Sequence, residues 1–339
     1  MTGMRHAYLR YAARRFVQAV VVILLAYVLT FVVVSILPGD PITNVLHNPE
    51  NGFTEDEIRQ IIVAQGLDRP IPAQLWTSLS NFLTGDLGLS MRSNRPVTTL
   101  LAEVLPSTLI LASAGLAVAL LLAGAIAYGT QFVPKRFGQG VLRGLPSLFL
   151  SVPNFVIGLV LIHVFGFQLG LFRVIAPNSF WATVFAAVAL GIPVSAEIAE
   201  VLIASLDHES AQEYAAVARG RGLGQLRLFA SHLLKPSSLP VVTVIALTIG
   251  ELLGGSLITE TVFGRTGIGS LVQRSVSTQD LPVLQAIVSL AAVVFVLVNL
   301  GADLVYPLLD PRVKLIGAPR HRPTIADENS AGASQVVTS

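Results

Sequence analysis

Residues 16–37 read FVQAVVVILLAYVLTFVVVSIL, a run without a single charge. An α-helix needs about 20 predominantly apolar residues to cross the hydrocarbon core of a bilayer, and this run has that length. It begins directly after Arg14 and Arg15 and stops at Pro38-Gly39-Asp40-Pro41. It is too long for a signal-peptide core and holds no small-residue cleavage site, so it reads as a retained first span. Similar runs follow at 104–132, 144–172, from 180 onward, at 239–258 and at 282–309. Pro146 and Pro153 predict kinks in the third of these six runs. Glu197 and Glu200 stand near the end of the fourth, Glu251 lies inside the fifth, and Asp303 is near the end of the sixth. The pattern predicts an all-α integral membrane protein with six transmembrane helices.

Composition agrees. Of 339 residues, 53% are hydrophobic and 12% charged, with a mean hydropathy of +0.70. Soluble domains carry about 25% charged residues. The shortage excludes an ordinary cytosolic enzyme, a disordered chain and a nucleic-acid-binding domain. A net charge of +2 is too small to imply a polyanionic partner. With no cysteine, disulfides, thiolate metal sites and a cysteine nucleophile are excluded.

The position of the basic residues sets the orientation. The segment before the first run holds Arg5, Arg10, Arg14 and Arg15. The loop after the second holds Lys135, Arg136 and Arg143, and the loop after the fourth holds Arg219, Arg221, Arg227 and Lys235. The C-terminal segment holds Arg312, Lys314, Arg320 and Arg322. With six spans these four segments share one side, while the short opposite loops carry only Arg173, Arg265 and Arg274. Tails 1–15 and 311–339 are therefore expected in the cytoplasm, the latter largely disordered because it has no apolar period.

Residues 38–103 are too many for a simple turn. Thr54-Glu55-Asp56-Glu57 reads as a capping box ahead of Ile58, Ile61 and Ile62 at helical spacing, with Gly66 as the closing residue. A second helix follows Pro72, with Leu75, Trp76, Leu79, Phe82 and Leu83 on one face, and ends at Gly85. This predicts a small external helical subdomain. A spacer that caps the bundle and a partner-docking surface both remain open. The other five transmembrane helices lie within 104–310.

Inside that core, the loop 205–238 is the most informative. Ser210-Ala211-Gln212-Glu213 reads as another capping box. The helix it starts is rich in small residues (Ala211, Ala215, Ala216 and Ala218) and is stopped by Gly220, Gly222 and Gly224. A second stretch, 225–235, carries Leu226, Phe229, Leu233 and Leu234 on one side and ends at Pro236. Small residues permit close approach to another surface, which suits docking to a second protein. An amphipathic hairpin resting on lipid is the competing reading.

The run Glu213-Tyr214-Ala215-Ala216-Val217-Ala218-Arg219-Gly220-Arg221-Gly222-Leu223, followed by His232-Leu233-Leu234-Lys235-Pro236, resembles the EAA loop of the membrane permeases of binding-protein-dependent ABC importers. Glu213, Ala215 and Gly222 are the motif positions. Tyr214, Ala218, Arg219 and His232 resemble the dipeptide/oligopeptide/nickel branch. Leu37-Pro38-Gly39-Asp40-Pro41, Gly66-Leu67-Asp68-Arg69-Pro70, Gly85-Asp86-Leu87-Gly88-Leu89-Ser90, Glu260-Thr261-Val262-Phe263 with Gly267-Ile268-Gly269, and Leu308-Leu309-Asp310-Pro311-Arg312 resemble further segments of that branch. The family often carries Arg near the cytoplasmic end of span four, where this chain has Glu200.

The resemblance implies a permease subunit for dipeptides or oligopeptides in the bacterial inner membrane, with nickel or another small solute as the alternative. It implies a second homologous permease, two ATP-binding subunits (or one fused) that hold ATP and Mg, and an external solute-binding protein. This chain itself would bind no cofactor. The short helix of the loop would couple to the ATPase subunits through Glu213, Tyr214, Ala215, Ala218, Arg219, Gly222 and His232. Asp40, Trp76 and Asp86 are the candidates for external docking.

Glu251 at membrane depth costs at least ~2.5 kcal/mol on insertion scales. It either lines the translocation cavity or is hydrogen-bonded between packed helices. Glu197 and Glu200 share one helix face and must turn toward the bundle interior, a paired subunit or water. Asn154 is a further candidate for the path, with packing as its simpler role. His163, alone and without cysteines, does not suggest a metal. Glu260 and Asp303 read as interfacial.

Residues 264–270 have the glycine spacing of a phosphate loop, but Ser270 stands where lysine is needed. Gly220-Arg221-Gly222-Leu223-Gly224 follows no strand and does not make a dinucleotide loop. An ion-coupled secondary transporter using Glu251 and Asp303 is the rival from another class. An intramembrane enzyme built on buried carboxylates is a weaker one.

Overall fold

The computed structural model describes residues 2–36, 54–64, 69–134, 136 and 138–309. Among them the chain is helical nearly throughout, and Leu89 and Pro96 form an isolated β-bridge. Asp40, Gly66, Lys135 and the segment 310–339 lie outside the described residues.

Helix α1 (Thr2–Ile36) carries the apolar stretch Ala12–Val33, which takes in Arg14 and Arg15 near its start. Most of that span is exposed on the isolated chain, as a helix facing lipid must be; Ala19, Tyr27 and Phe31 turn inward. Helix α2 (Glu55–Ala64) starts at the expected capping box. The Thr54 amide donates to Glu57 Oε2 at 2.8 Å, and the Glu57 amide points back to Thr54 Oγ1 at 3.4 Å. These bonds hold the Glu57 carboxyl below its ordinary value. Helix α3 (Ile71–Thr84) is bounded by Pro70 and by Gly85, whose φ of 83° closes it in the left-handed region.

Helix α4 (Val97–Phe132) begins at Val97, not at 104. The helix therefore takes in Glu103, which pairs with Arg95 at 2.5 Å across the first turns. At 36 residues and about 1.5 Å per residue it reaches about 54 Å, well beyond the hydrocarbon core.

The third run departs most from expectation. In place of one kinked helix over 144–172, the structure has α5 (Gln139–Ser151) and α6 (Asn154–Leu161), the latter continuing as a π-helix through Ile162–Gln168. The two halves are bent by 96°. Val152 is extended (φ −104°, ψ 118°) and Pro153 starts the next helix. A proline disfavours helical geometry in the residue before it, so the chain turns there. Pro146, by contrast, is held inside α5.

Helix α7 (Phe180–Ser210) is the most buried of the long helices. Its inner face is built from Ala182, Ala186, Ala187, Ala189, Gly191, Ser195, Ala196 and Ala199, and small residues let neighbouring backbones close in. At Gly191 a Cβ would stand 2.7 Å from the Gly115 carbonyl oxygen of α4. The main core forms around α7, with Leu111 and Ile126 of α4, Ile162, Leu252 and Phe263. A second cluster joins Val97, Leu101 and Val104 to Leu271, Val283 and Ile287.

Helix α7 runs to Ser210, so the segment between spans four and five is shorter than 205–238. It holds α8 (Glu213–Gly220) and α9 (Gln225–Leu228), which passes through a π turn (Phe229–Leu233) directly into α10 (Leu234–Val262). Pro236 does not end a helix. It falls in the first turn of α10, where an absent N–H breaks no α-helical bond. Helix α11 (Ile268–Ser277) and α12 (Leu281–Leu309) complete the chain. Among the described residues five helices are long and apolar enough to cross a membrane, and the bent α5–α6 pair, counted as one broken span, makes six.

Candidate functional site

Helix α8 lies across one end of the bundle. Ser210 does not cap it: the hydroxyl donates back to Asp207 O at 2.9 Å as the last residue of α7. Gln212, in extended conformation, stands at the N-cap without a side-chain bond. Because α7 continues to Ser210, the serine lies two residues too early to cap α8. Glu213 is the first helical residue, where a carboxylate complements the helix dipole.

The C-terminus of α8 is a Schellman motif. The Leu223 amide donates to Ala218 O at 3.2 Å and the Gly222 amide to Arg219 O at 2.9 Å, with Gly222 at φ 80°. Gly222 therefore owes its place to the turn, since other residues rarely adopt that angle.

The small residues of α8 are divided between two faces. Ala215 and Ala218 are buried in the chain's own main core, so they hold α8 against the bundle. Glu213, Tyr214, Ala216, Val217 and Arg219 are exposed. Tyr214 Oη donates to Glu209 at 2.5 Å; partial loss of water around the ring, although it stays exposed at the surface, and this bond push the phenol up to about 12. Arg219 reaches back to Ser210 O at 2.8 Å, closing the end of α7. His232 is exposed within the π turn, with Nδ1 2.7 Å from Ser231 Oγ.

Behind α8 the loop is tied to three helices through residues that the sequence did not mark as a group. Arg143 of α5 binds Asp207 of α7 through both oxygens, at 2.7 and 3.0 Å. Gln131 of α4 donates to the same carboxylate at 3.2 Å, and its backbone oxygen accepts from Gln225 Nε2 at 2.6 Å. Phe229 sets its ring edge-on to Tyr128 and Phe132, at 5.8 and 5.6 Å. A cavity of about 340 Å³ lies between these groups, lined by Phe132, Arg219, Leu223, Leu228, Phe229 and Leu233 among others. Arg143 and Asp207 are 64 residues apart, and no local spacing announces that pair.

The bundle carboxylates fall into two kinds. Glu251 and Glu200 are exposed on the isolated chain and Glu197 is half-buried; Glu197 lies within electrostatic reach of both others. Among the described residues no three His, Asp or Glu side chains are arranged to hold a metal ion. Asn154, at the start of α6, is half-buried and faces Gly255 of α10, where its Nδ2 lies 3.9 Å from the place of a Cβ.

Glu260 is the other kind. It is fully buried and not interfacial. Its Oε1 accepts from Thr108 Oγ1 at 2.6 Å and its Oε2 from the Gly269 amide at 2.8 Å. Thr108 Oγ1 in turn accepts from the Ile268 amide at 2.8 Å. Nearby, Arg265 donates to Pro177 O at 2.7 Å, Thr183 Oγ1 at 2.8 Å and Ser107 Oγ at 3.3 Å. The glycines that imitate a phosphate loop are thus wrapped around an internal carboxylate, and a side chain on Gly267 would collide with it. The residue pattern held one signal for this: two glycines closely following a glutamate at a helix end.

At the same end of the bundle, Asp280 is buried and accepts from Ser90 Oγ at 2.5 Å and from the Met91 amide at 3.1 Å. Asp86 is occupied by its own turn, accepting from the Gly88 amide at 2.9 Å. Trp76 is exposed on α3.

Helices of this length and apolarity belong in a bilayer, and a short helix is seated against the end of the bundle through Ala215 and Ala218. The class is that of membrane subunits of transport systems. The chain belongs to the family of binding-protein-dependent transport system inner membrane components, whose model matches residues 115–315; the model of the N-terminal part of such components matches residues 8–112. It is 32% identical over 306 residues to the glutathione transport system permease protein GsiC of Pectobacterium atrosepticum, covering 90% of this chain and 99% of that protein. It is 31% identical over 307 residues, with the same coverage, to the GsiC protein of Escherichia coli K12. The chain is a multi-pass permease subunit of an ABC importer of the bacterial inner membrane.

Proposed function

We propose that this permease forms half of the translocation pathway for small peptides, in the size class of the glutathione carried by its relatives. The near-full-length similarity to those permeases supports that cargo class. A second homologous permease encloses the other half of the path. Two ATP-binding subunits, or one fused, hold ATP and Mg and seat on α8, and a solute-binding protein delivers cargo from the opposite side. Both chain termini are cytoplasmic.

The observation that carries the coupling role is the two-sided build of α8: Ala215 and Ala218 anchored in the core, Glu213, Tyr214 and Val217 facing away from it. A push on the outer face moves α8 as one body with the end of α7, to which Arg219 and Tyr214 bind it. The α4 and α5 contacts at Gln131 and Arg143 carry the displacement onward, a rigid-body route to alternating access. Glu197, Glu200, Glu251 and Asn154 line the path, where carboxylates attract the ammonium group of a peptide.

The test is ATP-dependent uptake of labelled peptide into vesicles that hold the complete transporter. Glu213→Ala with Gly222→Asp is expected to abolish uptake while leaving the subunits membrane-inserted. Normal uptake and normal ATPase coupling in that double variant would remove α8 from the mechanism.

A further inference from the structure

The loop that carries α8 is joined to the bundle on two sides, and the two joints are built differently. Where α7 meets α8, side chains close the joint: Tyr214 Oη donates to Glu209, and Arg219 donates to Ser210 O at 2.8 Å. Ala215 and Ala218 are buried in the main core. Asp207, in the last turn of α7, is held by Arg143 and Gln131. Helix α8 therefore moves with the end of α7.

Where α9 meets α10, the backbone is weak over residues 229–240. In the π turn Phe229–Leu233, the Leu234 amide donates to Phe229 O, five residues back instead of four; such turns are rare and recur at functional sites. Pro236 and Pro240 follow. Neither has an N–H, so the carbonyls of His232 and Pro236, four residues behind them, receive no α-helical bond. The hydroxyl of Ser237 is fully buried and has no hydrogen-bond partner among the described residues. Buried hydroxyls are ordinarily bonded, so this position of α10 leaves a group that another position can satisfy. Room for movement is present as well. Phe229 and Leu233 of the π turn form part of the wall of the 340 Å³ cavity, together with Phe132 of α4 and Arg219 of α8, and a close-packed interior lets side chains shift only where it leaves such space. The opposite end of α10 is fastened: Glu260 Oε1 accepts from Thr108 Oγ1 of α4 at 2.6 Å and its Oε2 from the Gly269 amide at 2.8 Å.

We propose that α10 is a lever with a flexible joint at residues 229–240. Held to α4 at Glu260, it pivots there and swings at its other end when movement of α8 bends the π turn. The inference rests on α8 being the coupling helix. Helices α7 and α8 stay one body, and the relative movement is between α7 and α10. Leu247, Glu251, Gly254 and Ile258 are exposed and follow one another at helical spacing, so they share one face of α10. The swing turns that face and reshapes one wall of the proposed path, a local joint serving a rigid-body transition.

Amide hydrogen exchange, read by mass spectrometry on the complete transporter in lipid nanodiscs, tests the joint. Segments 225–240, 205–218 and 255–269 are compared without nucleotide and with ATP plus vanadate. Exchange in 225–240 is expected to change several-fold between the two states while the other segments stay alike, because bending opens and closes backbone bonds at the joint alone. Pro236→Ala with Pro240→Ala returns both N–H groups. It is expected to slow exchange in 225–240 and to cut peptide uptake several-fold in an assembled complex. If that variant does not assemble, the exchange of the parent decides. Equal exchange of 225–240 in the two states, or a change no larger than that of 205–218, would overturn the proposal, as would parental uptake in the proline double variant. The two readings fail separately. Loss of uptake in Glu213→Ala with Gly222→Asp, together with unchanged exchange in 225–240, keeps α8 as the coupling helix and rejects the joint. Normal uptake in that variant removes α8 from the mechanism, and the drive of the lever with it.

Discussion

Thr108 Oγ1 lies 2.6 Å from Glu260 Oε1, and that bond joins α4 to α10 between residues 152 apart in sequence. The second oxygen of Glu260 holds the Gly269 amide, so one buried side chain secures two helices and the turn that follows them. Removing the carboxyl group leaves a buried hydroxyl and a buried amide without their acceptor, at roughly 1–3 kcal/mol each. Glu260→Ala is therefore expected to lower the thermal stability of the purified transporter sharply. Thr108→Val should cost about 1–3 kcal/mol, and Thr108→Ser should restore most of it. Equal melting behaviour for Glu260→Ala and the parent would contradict this account.

The same turn separates two kinds of glycine. A Cβ on Gly269 would strike the Leu257 backbone and stand 2.8 Å from Glu260 Oε2. At Gly264 there is open space, and the sole obstacle is a φ of 65°, worth roughly 1–2 kcal/mol. Gly269→Ala should destabilise the protein more than Gly264→Ala, as read by thermal unfolding in detergent.

Where α4 crosses α7, Gly191 meets the Gly115 carbonyl and Val118. Gly191→Ala must push the helices apart and is expected to cost about 1–3 kcal/mol. Gly124→Ala on α4 meets nothing within 4 Å and should be close to neutral. A comparison of the two melting curves decides the point.

Arg143 and Asp207 are each about two-fifths exposed, at 40% and 42%, so their ion pair contributes at most about 1 kcal/mol to stability. Its expected importance is for transmission from α8. Arg143→Asp should reduce peptide uptake well beyond any loss of folded protein, and Arg143→Asp with Asp207→Arg should recover much of it. No recovery in the charge-swapped pair would remove this contact from the route.

The Tyr214 phenol, at about 12 against an ordinary 10.0, keeps its proton and its bond to Glu209 in the folded state. This stabilising difference is complete below pH 10 and is lost as pH rises from 10 toward 12. Across pH 6–9, then, the effect of Tyr214→Phe on ATP-coupled uptake should not vary with pH. A change of that effect within the interval would assign the bond to another titration.

Much of the architecture was legible in the residues because its physics is local. A charge-free run of bilayer length gives a span wherever it occurs, and Thr54 with Glu57 makes its capping box within four residues. Glycines at 85 and 222 end helices through a backbone angle that depends on no distant contact. The same local reading misjudged Ser210 and Pro236, where a helix longer than expected and a π turn changed which position of the helix each occupied. It expected kinks at Pro146 and Pro153 within 144–172; the structure keeps Pro146 inside a helix and turns the chain by 96° at Pro153.

The sequence by itself determined that this chain lives in a bilayer, where its apolar helices lie, and which loop resembles the family's coupling motif. Those follow from length, apolarity and turn chemistry read along the chain. Only the tertiary structure decided that Ala215 and Ala218 face inward, that Asp207 gathers Arg143 and Gln131, and that Glu260 is buried under two glycines. Each of these depends on which helices lie side by side, and packing between residues far apart in the chain leaves no periodic trace in it.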